Sequence, residues 1–166
     1  MAKTERYLEL RYVDDEKALT VVNTTENMPV GGIAKVGCYA DVKKYGVNLS
    51  GEALEALDPT AVGGVPKYVL IAPDTHRYDE YLLNDKFGKQ EDVVAGNPTR
   101  AYFMHNSFSV RIEKDLINGV VAEGALLAPD ADYKYKVTET PAEAVAYVVK
   151  LGKYNGNTDT AIIHGL

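Results

Sequence analysis

The segment Lys67 to Glu80 (KYVLIAPDTHRYDE) brings together groups able to do chemistry. An apolar run ends at Asp74, with His76, Asp79 and Glu80 close behind. Enzymes of the α/β class present catalytic groups in this way, at the carboxyl ends of strands. Asp74 or His76 could serve as base, acid or metal ligand, the working pair of a small α/β hydrolase. The competing reading is a solvated polar loop. It is favoured because no second cluster at ligand spacing accompanies the segment and no alternation of strands and helices surrounds it. His105 and His164 each stand alone in apolar segments. Cys38, within Val36-Gly37-Cys38-Tyr39, reads as a small core residue and not as a nucleophile. The glycine pairs lack the Lys-Ser/Thr ending of a phosphate loop, and no serine sits in a G-x-S-x-G elbow. No catalytic residue, metal site or cofactor is therefore expected.

Composition narrows the partners. The chain has 166 residues, a net charge of -6 and one cysteine, so no internal disulfide can form. The acidic balance argues against nucleic acid, which calls for a basic stripe. The opening residues carry charges and no apolar leader follows, and the apolar run Ala144 to Val149 is far short of the roughly 20 residues that span a bilayer. A soluble protein made in the cytoplasm is expected, without membrane contact. Tyrosine is unusually common, 12 against 3 Phe and no Trp. Such residues suit half-buried strand positions and partner surfaces alike.

The elements that would position these groups read as short strands separated by Gly, Asn and Asp turns. Tyr7 to Val13 alternates with Leu8, Leu10 and Tyr12 on one side, and Asp14 to Lys17 would turn it into a hairpin with Ala18 to Val22. Ile33–Tyr39, Tyr68–Ala72, Ala101–His105, Ser107–Glu113, Val120–Leu127, Tyr133–Val137, Val145–Leu151 and Ala161–His164 follow. Ser50 to Leu57 (SGEALEAL), with an N-cap serine and Ala/Leu filling, predicts a short helix, and Asp79 to Asn84 a further turn or two. Thr140-Pro141-Ala142-Glu143 has capping-box spacing, but the β-branched residues after it call for a strand after one turn. The fold expected is mainly β, an antiparallel barrel or sandwich-like single domain over residues 1–166 with one or two short helices. Its core would hold Phe108, Val110, Ile112, Leu126, Val137, Tyr147 and Val149, with Ser109 and Arg111 facing out.

The order of segments in the second half carries a resemblance. Ala72-Pro73-Asp74, Tyr78-Asp79-Glu80 and Asn97-Pro98-Thr99-Arg100-Ala101-Tyr102 are followed by Phe108-Ser109-Val110-Arg111-Ile112. Gly119 to Pro129 and Asp130 to Val137 come next, and within them Gly124 to Lys134 fits G-x-x-L-x-P-D-x-x-x-K. A valine-rich strand, Val145 to Leu151, closes the domain. Over residues 68–166 this resembles small virion proteins of tailed bacteriophages, the head decoration or cement proteins that coat the outside of a capsid. The resemblance implies a non-enzymatic protein on the capsid exterior that binds the major capsid protein of the same virion and stabilises the head, with self-association alongside. A tail or connector subunit is the alternative within the same class.

A grip on such a partner would draw on the N-terminal residues. Lys3, Arg6 and Arg11 outweigh Glu5 and Glu9 there, with Tyr7 and Tyr12 among them, and Arg and Tyr are enriched at interfaces. Residues 1–6 would form a loose arm that orders on an acidic surface. The alternative is that Tyr7 to Val13 is an edge strand of the domain.

Overall fold

The computed structural model describes residues 5–12, 18–40, 43–44, 47–48, 53–73, 89–106, 108–154 and 156–166. In chain order the strands are β1 (Glu5–Tyr12), β2 (Ala18–Val22), β3 (Ile33–Tyr39), β4 (Lys43–Lys44) and β5 (Val47–Asn48). Then come β6 (Leu54–Leu57), β7 (Val65–Ile71), β8 (Lys89–Glu91), β9 (Thr99–Phe103) and β10 (Ser109–Glu113). β11 (Ile117–Asn118), β12 (Leu126–Pro129), β13 (Tyr135–Thr138), β14 (Ala146–Tyr154) and β15 (Thr158–Gly165) complete them. Five strands close a barrel in the order β2-β6-β3-β7-β9, and eight form a sheet in the order β11-β13-β12-β14-β15-β10-β1-β8. The pairings are antiparallel except β2 with β6 and β11 with β13. The expected mainly-β single domain is what forms.

Barrel and sheet share a wall. In β7, Val69 and Ile71 point into the barrel while Leu70 points to the sheet. In β3, Ala34 lines the barrel and Ile33 the sheet side, and in β9 Ala101 and Tyr102 divide likewise. Successive side chains alternate faces, so a strand with apolar neighbours on both sides must be apolar at both parities. That accounts for the unbroken run Val69 to Ala72. From the sheet, Leu8, Phe108, Val110, Ile112, Val148 and Ile163 meet this wall.

The hairpin between β12 and β13 locks the two parts together. Its tip residues Asp132 and Tyr133 both have φ of 58°, a left-handed conformation uncommon for residues with a side chain. This turns the Tyr133 ring into the barrel cluster, 3% exposed. The Tyr133 carbonyl accepts from Ile33 N at 2.9 Å. Gly32 makes the approach feasible, because a Cβ there would lie 2.7 Å from that carbonyl oxygen.

Several expectations are corrected. Leu54–Leu57, expected as helix, is strand β6: two strands flank it, and Ala56 is buried between them. β1 and β2 form no hairpin with each other, since β1 pairs with β10 and β8 while β2 pairs with β6 and β9. β1 has β8 on its second side over Glu5 to Tyr7, while from Leu8 to Tyr12 its described pairing is with β10 alone. Val120 lies outside any strand and is exposed, so the strand expected over Val120–Leu127 is reduced to β12. Thr140 makes no side-chain cap to the single turn Pro141–Glu143, although a strand does follow.

In the core, Phe108, Val110 and Ile112 are fully buried and Val137 is packed against them. β14 takes the opposite parity to that expected: Ala146 and Val148 face the core, Tyr147 lies on the other face, and Leu126 is paired with Tyr147. A bulge between Val148 and Lys150 leaves Val149 out of the ladder and exposed. Ser109 faces away from Val110 and Ile112, as expected, yet it is buried on that outer side. Cys38 is exposed, because β3 turns into solvent after Val36. The helical turn expected at Asp79–Asn84 lies outside the described residues.

Candidate partner-binding surface

The residues singled out at the N-terminus are not gathered into one patch. Lys3 lies outside the described residues. Arg6 is a strand residue and not part of a loose arm. Its guanidinium is largely buried and donates from Nη1 to both carboxylate oxygens of Asp92, at 2.6 and 2.5 Å. Asp92 also accepts from Val30 N, which ties β1 to the loop before β3. Tyr7 is 5% exposed, stacked on Tyr154 with ring centroids 4.0 Å apart, and its hydroxyl donates to Glu9 Oε2. Burial, and then the Glu9 carboxylate, push that hydroxyl well above the usual tyrosine range. Arg11 is exposed and reaches Glu9 at 3.2 Å. Tyr12 pairs through its backbone with Ser109. Arg6 and Tyr7 are therefore holding the domain together, and of the group Arg11 alone is described as open to solvent.

Asp74 and His76 lie outside the described residues. His164 sits on the sheet's outer face, 3.4 Å from the Tyr147 hydroxyl. Among the described residues no three His, Cys, Asp or Glu side chains come together as a metal site, and no helix is long and apolar enough to cross a membrane.

Buried polar groups serve the fold. Asn23 donates from Nδ2 to Ala56 O and to the Tyr133 hydroxyl, and its Oδ1 accepts from Thr25 N and Glu26 N. The Tyr133 hydroxyl donates onward to Glu26. Glu113, 1% exposed, accepts from Tyr7 N at 2.8 Å. Each is the kind of pairing a buried polar group requires.

Among the described residues a groove of about 470 Å³ opens where the end of the barrel meets the sheet. Pro66 and Tyr68 of β7 form one side, Phe103 and Met104 at the end of β9 another, and Val145 and Leu166 the third. Lys67 and His105 add polar atoms. Regular structure holds these walls: Val69 pairs with Phe103, Met104 N donates to Tyr68 O, and Leu166 N to Val145 O. The C-terminal strand presses close, since any side chain at Gly165 would run into the His105 carbonyl. Next to Pro66, Val65 is 48% exposed, and Val62 is fully exposed. No motif announced this surface. It forms from strand ends far apart in the chain, and its residues read only as strand formers.

No protein-family model matches the chain, and no curated protein matches it in sequence.

Proposed function

We propose that this chain is a non-catalytic structural protein of a tailed-phage virion, a decoration protein that sits on the outside of the head and stabilises it. The major capsid protein is its partner, and the groove at the barrel–sheet junction is its seat. The observation that carries the reading is this groove: half-exposed apolar side chains held on hydrogen-bonded strand ends. A preformed apolar surface of this kind binds with little ordering cost. The resemblance over residues 68–166 supplies the identity of the partner. Copies repeated over a capsid need only modest affinity per site when each bridges neighbouring subunits, and binding to the assembled shell alone stabilises it by mass action.

Mixing purified protein with capsids that lack it, followed by imaging, tests the proposal. The wild type should coat the heads. A Lys67→Glu, Leu166→Asp variant, altered at two exposed groove positions, should fold and fail to coat. Bare heads with the wild type overturn the virion reading. Equal coating by the variant overturns the groove as the seat. Dimers that the variant abolishes, without coating by either protein, would make the groove a self-association surface instead.

A further inference from the structure

The outer face of the large sheet is organised in cross-strand rows set by register. Tyr147, His164 and Ser109 form one row. Lys150, Ile162, Arg111 and Glu9 form the next, and Gly152, Thr160 and Glu113 the one after. Beyond Gly152 the β14–β15 hairpin bends back over this face. Its Tyr154 stacks on Tyr7 of β1, although β15 and β10 separate β14 from β1 in the sheet. The bend encloses a pocket of about 130 Å³. Arg111, Lys150 and Lys153 line it with the Thr160 hydroxyl, and Leu151 and Ile162 supply apolar carbon.

Among the described residues no carboxylate lines this pocket, in a chain whose net charge is -6. Among the described residues carboxylates stand at its margins, and one of them, Glu123, accepts from the N–H of the lining residue Leu151 at 3.3 Å. Glu9 is 3.5 Å from Arg111 and Asp159 is 3.0 Å from Lys153. Glu9 also has the Tyr7 hydroxyl at 2.6 Å and Arg11 at 3.2 Å, so it keeps two donors if Arg111 turns to another acceptor. Lys150 has no ion pair among the described residues.

We infer that the pocket receives a carboxylate, the side chain of Asp or Glu on an acidic segment of a partner protein. Arginine with lysines around a small cavity matches a carboxylate's two acceptor oxygens. The apolar half of the lining, together with the lysine stems, matches the methylene stem that carries it. A free inorganic anion has no use for that half. The pocket shares no lining residue with the groove, and the inference stands whatever protein carries the acid.

The test is a nuclear magnetic resonance titration of the full chain at matched ionic strength. The probes are the capped tripeptide Gly-Glu-Gly, its Gly-Gln-Gly counterpart and inorganic phosphate. The Glu peptide should shift the amides of Arg111, Lys150, Lys153, Thr160 and Ile162, and the Gln peptide should not. Lys150→Gln, at an exposed position, should keep the thermal midpoint and weaken Glu-peptide binding about fivefold, the effect of one solvent-facing charge. Adding Arg111→Gln should abolish binding. The inference is overturned by absence of shifts, by equal shifts from the Gln peptide, or by Lys150→Gln binding as the wild type does. Phosphate binding as tightly as the Glu peptide would mark a mere anion site and overturn it too.

Discussion

In the barrel, β7 sends Val69 and Ile71 inward and Leu70 toward the sheet, and all three are fully buried. In the sheet, β10 sends Val110 and Ile112 to the same core, and its other parity holds Ser109, Arg111 and Glu113. Ser109 and Glu113 are nevertheless as buried as the core residues. The barrel wall is buried on both faces because both faces meet apolar layers. β10 is buried on its second face because the β14–β15 hairpin and the N-terminal strand fold over polar groups, Glu113 among them with its bond to Tyr7 N. Two-sided burial can thus be met by carbon on both sides or by carbon on one and polar groups on the other, here paired at Glu113 but not at the Ser109 hydroxyl. The two solutions should tolerate substitution differently.

The largest effects are expected at the shared wall. Leu70→Ala and Ile71→Ala should each cost about 2–5 kcal/mol, since both parities of β7 leave cavities. In β10, Ile112→Ala should fall in the same range while Arg111→Ala, half-exposed, should cost well under about 1 kcal/mol. Denaturant midpoints at unchanged m-value would measure these. If Ile71→Ala behaves like Arg111→Ala, β7 does not separate two cores.

Next comes the ion pair that joins the two parts. Asp92→Ala leaves the Arg6 guanidinium without the carboxylate it binds through both oxygens, and removes the acceptor for Val30 N. Breaking such a pair from one side should cost about 3 kcal/mol. Arg6→Ala should be comparable. A loss confined to partner binding, with stability unchanged, would return Arg6 to the role of a surface contact.

The contrast between barrel and sheet also decided what could be read from sequence. β10 was legible because SFSVRIE alternates, and only one parity can face a core. The barrel wall showed as an apolar run, which marks a strand but not the two layers it divides. β14 offered five successive apolar or aromatic residues, Val145 to Val149, so parity was undetermined and the bulge at Val149 was invisible. Leu54–Leu57 carried helix-forming residues after a capping serine, and pairing on both sides overrode that local preference. The groove and the basic pocket were not legible at all. Their residues lie on strands brought together only by register and by the bend of one hairpin.

Alkaline pH probes the seam between the two regions. Burial raises the hydroxyl pKa of Tyr135 and Tyr133 in the locking hairpin, Tyr133 with added repulsion from Glu26, and that of Tyr7 in the sheet. The unfolded chain ionises near pH 10 while the folded groups remain neutral. A folded pKa raised above the unfolded one contributes stability that is complete below about pH 10 and is lost as pH rises beyond it. The denaturant midpoint should therefore hold from about pH 8 to 10 and then fall. Tyr135→Phe, which removes one such hydroxyl and its bond to Gly31 O, should fall less steeply. Lysine titration is common to both proteins and cancels in the comparison. Parallel curves would show that the Tyr135 hydroxyl is not held neutral by the fold.

The smallest effect lies within one strand. Val110 and Ser109 are neighbours in β10, both at most 2% exposed. Val110→Ala removes two methyls from the junction core and should cost about 1–3 kcal/mol. Ser109 faces the other way, and its Oγ is buried with no hydrogen-bond partner among the described residues. A buried hydroxyl without a partner opposes folding, so replacing it with a methyl-sized apolar group removes a penalty and no favourable contact. Ser109→Ala should therefore be neutral or stabilising by up to about 1 kcal/mol. This separates two accounts of the same burial. If the outer face of β10 were an apolar-packed layer like the barrel wall, the near-isosteric change would still be mild, but Ser109→Val would be accommodated as well. If that face is a close-fitting polar layer, Ser109→Val should destabilise by about 1–3 kcal/mol through overpacking against the row that holds His164, while Ser109→Ala does not. Equal stability of the Ala and Val variants would show that the outer face has room for carbon, and the contrast drawn between the two regions would reduce to one of composition.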